Sequence, residues 1–227
     1  PMPVPTLPSA RTFRMGFTTE PGGPSGGPVN TRPRTIRFVR ENADLIVLHR
    51  DGPSVPWRAL SEGRVFGFGT RLARQRARFG EGIPVYVLIT PLNIFRNGIG
   101  GNFPADLGPA CMSNPRLRRA FENYAQVVVR AMHPEYLGLA AEVNMYRPPP
   151  ECPGDFDALI SLYKETYRKV KALQPDLPVF VTFQLDFLHG LNEQMLPARF
   201  LPELDRLALS LYPGNDLSPL LPGQIPA

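Results

Sequence analysis

Glu142 and Asn144 close the run "YLGLAAEVN" (136–144), whose other residues are those of a buried strand. A carboxyl group is seldom left on such a segment without a partner or a task. At a strand end it can act as general acid or base. Alternatively it pairs with an Arg or His of a neighbouring strand and is purely structural. His49 and Arg50 close "LIVLHR" and are cationic candidates for the same region, followed by Asp51, which either holds a ligand or caps the next turn. Gln184 and Asp186, in "VFVTFQLDF", carry amide and carboxylate groups that match hydroxyls, or else form an internal polar network. Asn93 ends "LITPLN", as a ligand contact or a turn residue. Tyr146 offers a flat aromatic face beside Glu142, and Tyr212 ends "LALSLY" with a hydroxyl that reaches the site or plugs its mouth. The histidines, at 49, 133 and 189, form no H-E-x-x-H motif or cluster, so no metal and no cofactor is implied.

Positioning these groups requires strands that end together. The β-rich runs "FRMGFTT", "ADLIVLH", "IPVYVLITPLN", "YLGLAAEVN", "PVFVTFQLDF" and "RLALSLYP" alternate with helical stretches over 31–42, 69–80, 115–133 and 155–173. Asn114 and Pro115 cap and open the third of these helices, and Asp155 opens the fourth. Such alternation predicts an α/β protein with a parallel sheet, closed as a barrel or doubly wound. Thr182, Gln184 and Asp186 share one strand face, as do Ala208, Ser210 and Tyr212, and as do Gly138, Ala140, Glu142 and Asn144. Small residues low and polar residues high on a common face fit a crowded barrel interior with a site at the C-terminal strand ends. No strand is followed by G-x-G-x-x-G or a P-loop, which argues against a doubly wound nucleotide enzyme.

Of the chain's 227 residues, 43% are hydrophobic and 20% charged, enough apolar residues for a sizeable core. Residues 1–13 form a Pro-rich segment ahead of the barrel domain, 14–227. The net charge of +5 comes from 22 Arg and 3 Lys; Arg71, Arg74 and Arg78 share one helix face and read as solvated. Without an aromatic-interleaved stripe or a reader motif, no nucleic-acid partner is expected. No apolar run is long enough to span a membrane, and no signal peptide is visible at the start. Trp57 follows "GPSVP" and reads as a packing residue at the start of a helix.

"AAEVN" and "LSLYP" carry a resemblance. A strand four ending in Glu and a strand six ending in S-x-Y-P resemble the clan A retaining glycoside hydrolases, most closely the arabinogalactan endo-β-1,4-galactanases and their uncharacterised relatives. The resemblance implies a (β/α)8 TIM barrel acting on a polysaccharide or oligosaccharide, with Glu142 as acid/base. His49, Arg50, Asn93, Asn144, Tyr146, Gln184, Asp186 and Tyr212 are the expected substrate contacts. Retention needs a second carboxyl about 5 to 5.5 Å from the first. Ala141 stands where the family carries an Asn that contacts the sugar, so a catalytically silent carbohydrate-binding barrel is the alternative.

Two further expectations follow from the barrel. Cys111 and Cys152 lie in loops that are neighbours on one rim, which predicts a disulfide and a secreted or cell-surface protein. About six β/α units are visible, so the barrel is expected to be incomplete, with the nucleophile on a missing strand seven and the isolated chain inactive.

Overall fold

Runs of β-branched and aromatic residues broken by amphipathic stretches give an alternating α/β chain. The computed structural model describes residues 13–18, 32–50, 55–80, 82–188 and 195–211. In chain order its elements are β1 (Gly16–Thr18), α1 (Arg32–Asn42), β2 (Leu45–Arg50), α2 (Trp57–Ser61), α3 (Phe66–Ala77), β3 (Val85–Ile89), α4 (Pro115–Met132), β4 (Tyr136–Gly138), α5 (Asp155–Leu173), β5 (Val179–Phe180), β6 (Thr182–Gln184) and β7 (Ala208–Ser210).

β1 to β5 form a parallel sheet in strict chain order, and β6 and β7 form a parallel pair. β5 and β6 are one passage of chain interrupted only at Val181. The Leu139 amide donates to the Phe180 carbonyl (2.8 Å) and the Thr182 amide to the Ala140 carbonyl (3.0 Å), so the pair extends the sheet past β4. Among the described residues no pairing joins β7 to β1. Right-handed crossovers between strands taken in order put all helices on one face, and an order that never reverses has no switch point of the doubly wound kind. The core has this organisation. Ile46, Leu48, Val85, Val87, Ile89, Leu137, Val179, Val181 and Phe183 form one buried cluster with Leu60, Leu72, Leu117, Phe121, Tyr124, Leu162 and Tyr163 of the helices.

The helices end where their chemistry dictates. In α4 the Asn114 side chain accepts from the Arg116 amide (2.9 Å), Pro115 fills the first helical position, and buried residues recur at three- and four-residue intervals from Leu117 to Met132. α3 begins at Phe66, three residues before the periodicity suggests, because burial of Phe68 and Leu72 outweighs the helix-weakening Gly67 and Gly69. Trp57 is buried and its indole donates to the Gly100 carbonyl (2.8 Å). Arg76 donates to the carbonyls of Met132, Gly80 and Ile83, while Arg71, Arg74 and Arg78 lie exposed.

The other face of the sheet has its own packing. Tyr86 and Phe180 meet ring to ring at 5.5 Å, and a Cβ on Gly138 would lie 2.4 Å from Leu88 Cδ1. A side chain there would force Leu88 to move. Past this tight layer the same face turns polar, at Thr182, Gln184 and Ser210. Leu209 of the last strand, on the helix side, and Leu207 just before the strand are exposed. Cys111 and Cys152 are joined by a disulfide, Cα to Cα 5.6 Å, between the segments that lead into α4 and α5.

Candidate functional site at the end of β4

Regular strand geometry stops at Gly138, not at residue 144, and the chain bends before a short 3-10 turn, Val143–Met145. Glu142 opens that turn with φ 49° and ψ 51°, in the left-handed region. A residue with a Cβ holds this conformation at a cost of about 1–3 kcal/mol, so surrounding contacts must fix it. They do. The Glu142 amide donates to Thr182 Oγ1 (2.8 Å), carboxylate Oε1 accepts from the Ser210 hydroxyl (2.8 Å), and Oε2 faces Arg96 Nη2 at 3.3 Å. The Arg96 and Glu142 side chains are 7% and 13% exposed, so the ion pair is largely withdrawn from water but not sealed.

Arg96 comes from a hairpin that follows β3. Leu92 and Ile99 form an antiparallel bridge, the Asn93 amide donates to the Gly98 carbonyl (2.9 Å), and the Gly100 amide donates to the Pro91 carbonyl (2.8 Å). Asn93 organises the tip: its Oδ1 accepts from the amides of Phe95 (3.1 Å) and Asn97 (3.2 Å), and its Nδ2 donates to Asn97 Oδ1 (2.8 Å). Arg96 is also left-handed, at φ 56°. Its Nη1 donates to the Asn93 carbonyl (2.7 Å), and its own carbonyl accepts from the Arg147 amide (2.8 Å). The turn aims the guanidinium inward at Glu142.

The other residues singled out from sequence divide into three groups. Asn144 and Gln184 sit beside Glu142, with Asn144 in a backbone role. Its Nδ2 donates to the Gln184 carbonyl and its Oδ1 accepts from the Gln184 amide, both at 2.8 Å, so a buried side chain substitutes for a strand neighbour. The Gln184 side chain is buried and reaches the exposed Asp186 at 3.4 Å. His49 is exposed and lies opposite Leu88 of β3 on the same face. Three residues are elsewhere or otherwise engaged. Arg50 follows His49 directly, and strand alternation turns it to the helix layer, where it donates to Gln75 Oε1 (2.7 Å) and the Tyr124 hydroxyl (3.3 Å). Asn93 builds the hairpin turn. Tyr146 is no open platform: it is 2% exposed, stacks on Phe156 and donates its hydroxyl to Asp155. Asp51 and Tyr212 lie outside the described residues.

Sequence patterns left three site residues unranked. Thr182 and Ser210 lie on the polar parities of their strands, a visible signal, whereas Arg96 lies in a loop without hydrophobic periodicity.

Tyr146 and Asp155 make a second knot on the adjacent loops. Asp155 is 1% exposed and accepts from the Met112 amide (2.6 Å) as well as from Tyr146. Burial, and then the hydrogen bond to Asp155 and its charge, push the Tyr146 phenol well above the ordinary tyrosine range. Asp155 and the two cysteine sulfurs are the one close group of potential metal ligands among the described residues, but the sulfurs are bonded to each other and offer no thiolate. Around Glu142, by contrast, a carboxylate, a guanidinium and hydroxyl groups converge past the C-terminal end of β4. That set can exchange hydrogen bonds with a polyhydroxylated ligand. The chain matches no family model and no curated protein. None of the described helices is long and apolar enough to cross a membrane.

Proposed function

We propose that the sheet is the wall of a (β/α)8 barrel of glycoside-hydrolase type, that its polar face holds a poly- or oligosaccharide, and that Glu142 is the acid/base of a retaining hydrolysis. The observation that carries this is the setting of Glu142: a strained, over-determined backbone at a C-terminal strand end, with Thr182, Ser210 and Arg96 fixing both amide and carboxylate. Strain held in place by many contacts is common at functional sites, and orientation of the carboxyl is what proton transfer to a leaving oxygen requires. Sequential parallel strands with helices on one face agree with a barrel, whose sites lie at this end. An oxidising compartment, secreted or cell-surface, belongs to the same proposal, since disulfides such as Cys111–Cys152 persist there.

A second function is favoured by one observation. Arg96 engages Glu142 in an ion pair, and Ala141 offers no polar contact beside it. A carboxylate so engaged serves as a hydroxyl acceptor at least as readily as a proton donor, which suits a barrel that binds carbohydrate without cleaving it. Incubation with a panel of β-linked glycans, assayed in parallel for cleavage and for binding, separates the two. Saturable binding weakened by Glu142→Gln supports the carbohydrate site; cleavage abolished by the same substitution supports the hydrolase over the silent binder; no response in either assay removes both.

A further inference from the structure

We infer that the Leu92–Ile99 hairpin is the sugar-stacking arm of the Glu142 site, with Phe95 as its aromatic platform and Ile94 extending the apolar surface. This rests on the carbohydrate function proposed above and specifies how a pyranose chain would be held.

Ile94 and Phe95 are 64% and 76% exposed, an unusual state for two consecutive large apolar residues. They are not on a loose loop. The Leu92–Ile99 bridge closes the hairpin, Asn93 Oδ1 holds the Phe95 amide itself, and the Trp57 indole pins the base through the Gly100 carbonyl. At Gly100 a Cβ would come 2.9 Å from the Leu92 carbonyl, so the base is as tight as a chain allows. The next residue, Arg96, is 6% exposed and its guanidinium reaches the Glu142 carboxylate. One turn therefore directs a cation inward to the carboxylate and, one residue earlier, exposes an aromatic ring to solvent.

Pyranose rings carry a face of C–H bonds that gains by covering a flat aromatic surface, while their hydroxyls need polar partners. The hairpin supplies the exposed aromatic surface, and Arg96 ties it to the polar groups at the end of β4. Phe187, 42% exposed after β6, offers a second ring at the end of the strand passage on the other side of β4. The ligand that fits is a chain of at least two pyranose units, one over Phe95 and one among Glu142, Ser210 and Gln184. Tyr146, the aromatic residue nearest Glu142 in sequence, is buried and bonded to Asp155, which leaves this role to the hairpin.

The test compares the 227-residue chain with its Phe95→Ala, Phe95→Trp, Phe66→Ala and Glu142→Gln variants by titration with soluble β-linked oligosaccharides of two to six units, after thermal melting has shown each to be folded. Phe66, 88% exposed at the start of α3, is the control for apolar stickiness. Phe95→Ala is expected to weaken binding about tenfold or more, Phe95→Trp to retain it, and Phe66→Ala to leave it unchanged. Binding that Glu142→Gln weakens and Phe95→Ala does not would overturn the platform and leave the site standing. A wild-type chain that binds none of the sugars would overturn the platform and the carbohydrate function together.

Discussion

Two withdrawn carboxylates on neighbouring loops, Glu142 and Asp155, have opposite surroundings. Asp155 opens a helix, is 1% exposed, and accepts from one amide and one phenol beside a disulfide. Its side chain is sealed from solvent, with both oxygens already engaged. Glu142 sits in left-handed backbone, faces a guanidinium and a hydroxyl, and keeps part of its side chain exposed. The first is a closed joint that ties α5 to the segment ahead of α4; the second is a fixed but open group at a strand end. Burial does not distinguish the two carboxylates; backbone strain and an accessible edge do.

The largest expected effect is on the joint. Replacing Cys111 and Cys152 by Ser opens a loop with a sequence separation of 41 and is expected to cost about 4 kcal/mol in urea unfolding. A loss below about 1 kcal/mol would mean that the Asp155 knot holds these loops without the bridge.

Next is the open site. Arg96→Met removes the guanidinium that faces Glu142 and should cost about 3 kcal/mol, whereas Arg96→Met combined with Glu142→Leu should recover most of that loss. Equal losses in the single and double variants would show that Arg96 matters for its hairpin and not for the carboxylate.

Alkaline titration probes the joint from another side. Burial, followed by Asp155, raises the Tyr146 phenol; burial raises Tyr86 and, with nearby acidic groups, Tyr163; burial and then Asp205 push Tyr167 up to about 12. A tyrosine whose folded value is raised leaves stability intact below the unfolded value of about 10. As pH rises from there towards the folded value, each such residue removes about 1.4 kcal/mol per unit. Tyrosinate absorbance should therefore show these four ionising together with unfolding, above pH about 10. Smooth titration of all tyrosines near pH 10 in the folded protein would contradict the closed packing around Tyr146.

The smallest effect is expected at Ser210→Ala, which removes one hydrogen bond from a carboxylate that keeps others: about 1 kcal/mol by urea unfolding, with the far-ultraviolet spectrum unchanged.

The same contrast explains what could be read from sequence. α4 and α5 are legible because their apolar periods, and in α4 the Asn114 cap, are local signals, and the polar strand face is legible because side chains alternate along a strand. Glu142 stands out as a carboxylate on an apolar run. The left-handed turn that carries it is not legible, since it depends on Thr182 some forty residues on, held there only by the sheet. Arg96 has no periodic signal, and its role depends on where the Asn93 turn sends the chain. His49 and Arg50 are consecutive in β2 and cannot both face the polar side, so strand alternation separates a pair that composition groups together. Tyr146 follows a 3-10 turn that rotates it inward, away from the face shared by strand residues of its parity.

The most direct test of a carbohydrate site around Glu142 is calorimetric titration of the chain and of Glu142→Gln with a panel of β-linked oligosaccharides. At least one sugar should bind the wild-type chain saturably, with affinity reduced about tenfold or more in Glu142→Gln, in keeping with loss of a charge-assisted hydrogen bond to the ligand. Absence of binding across the panel, or equal affinities for the two proteins, would contradict it.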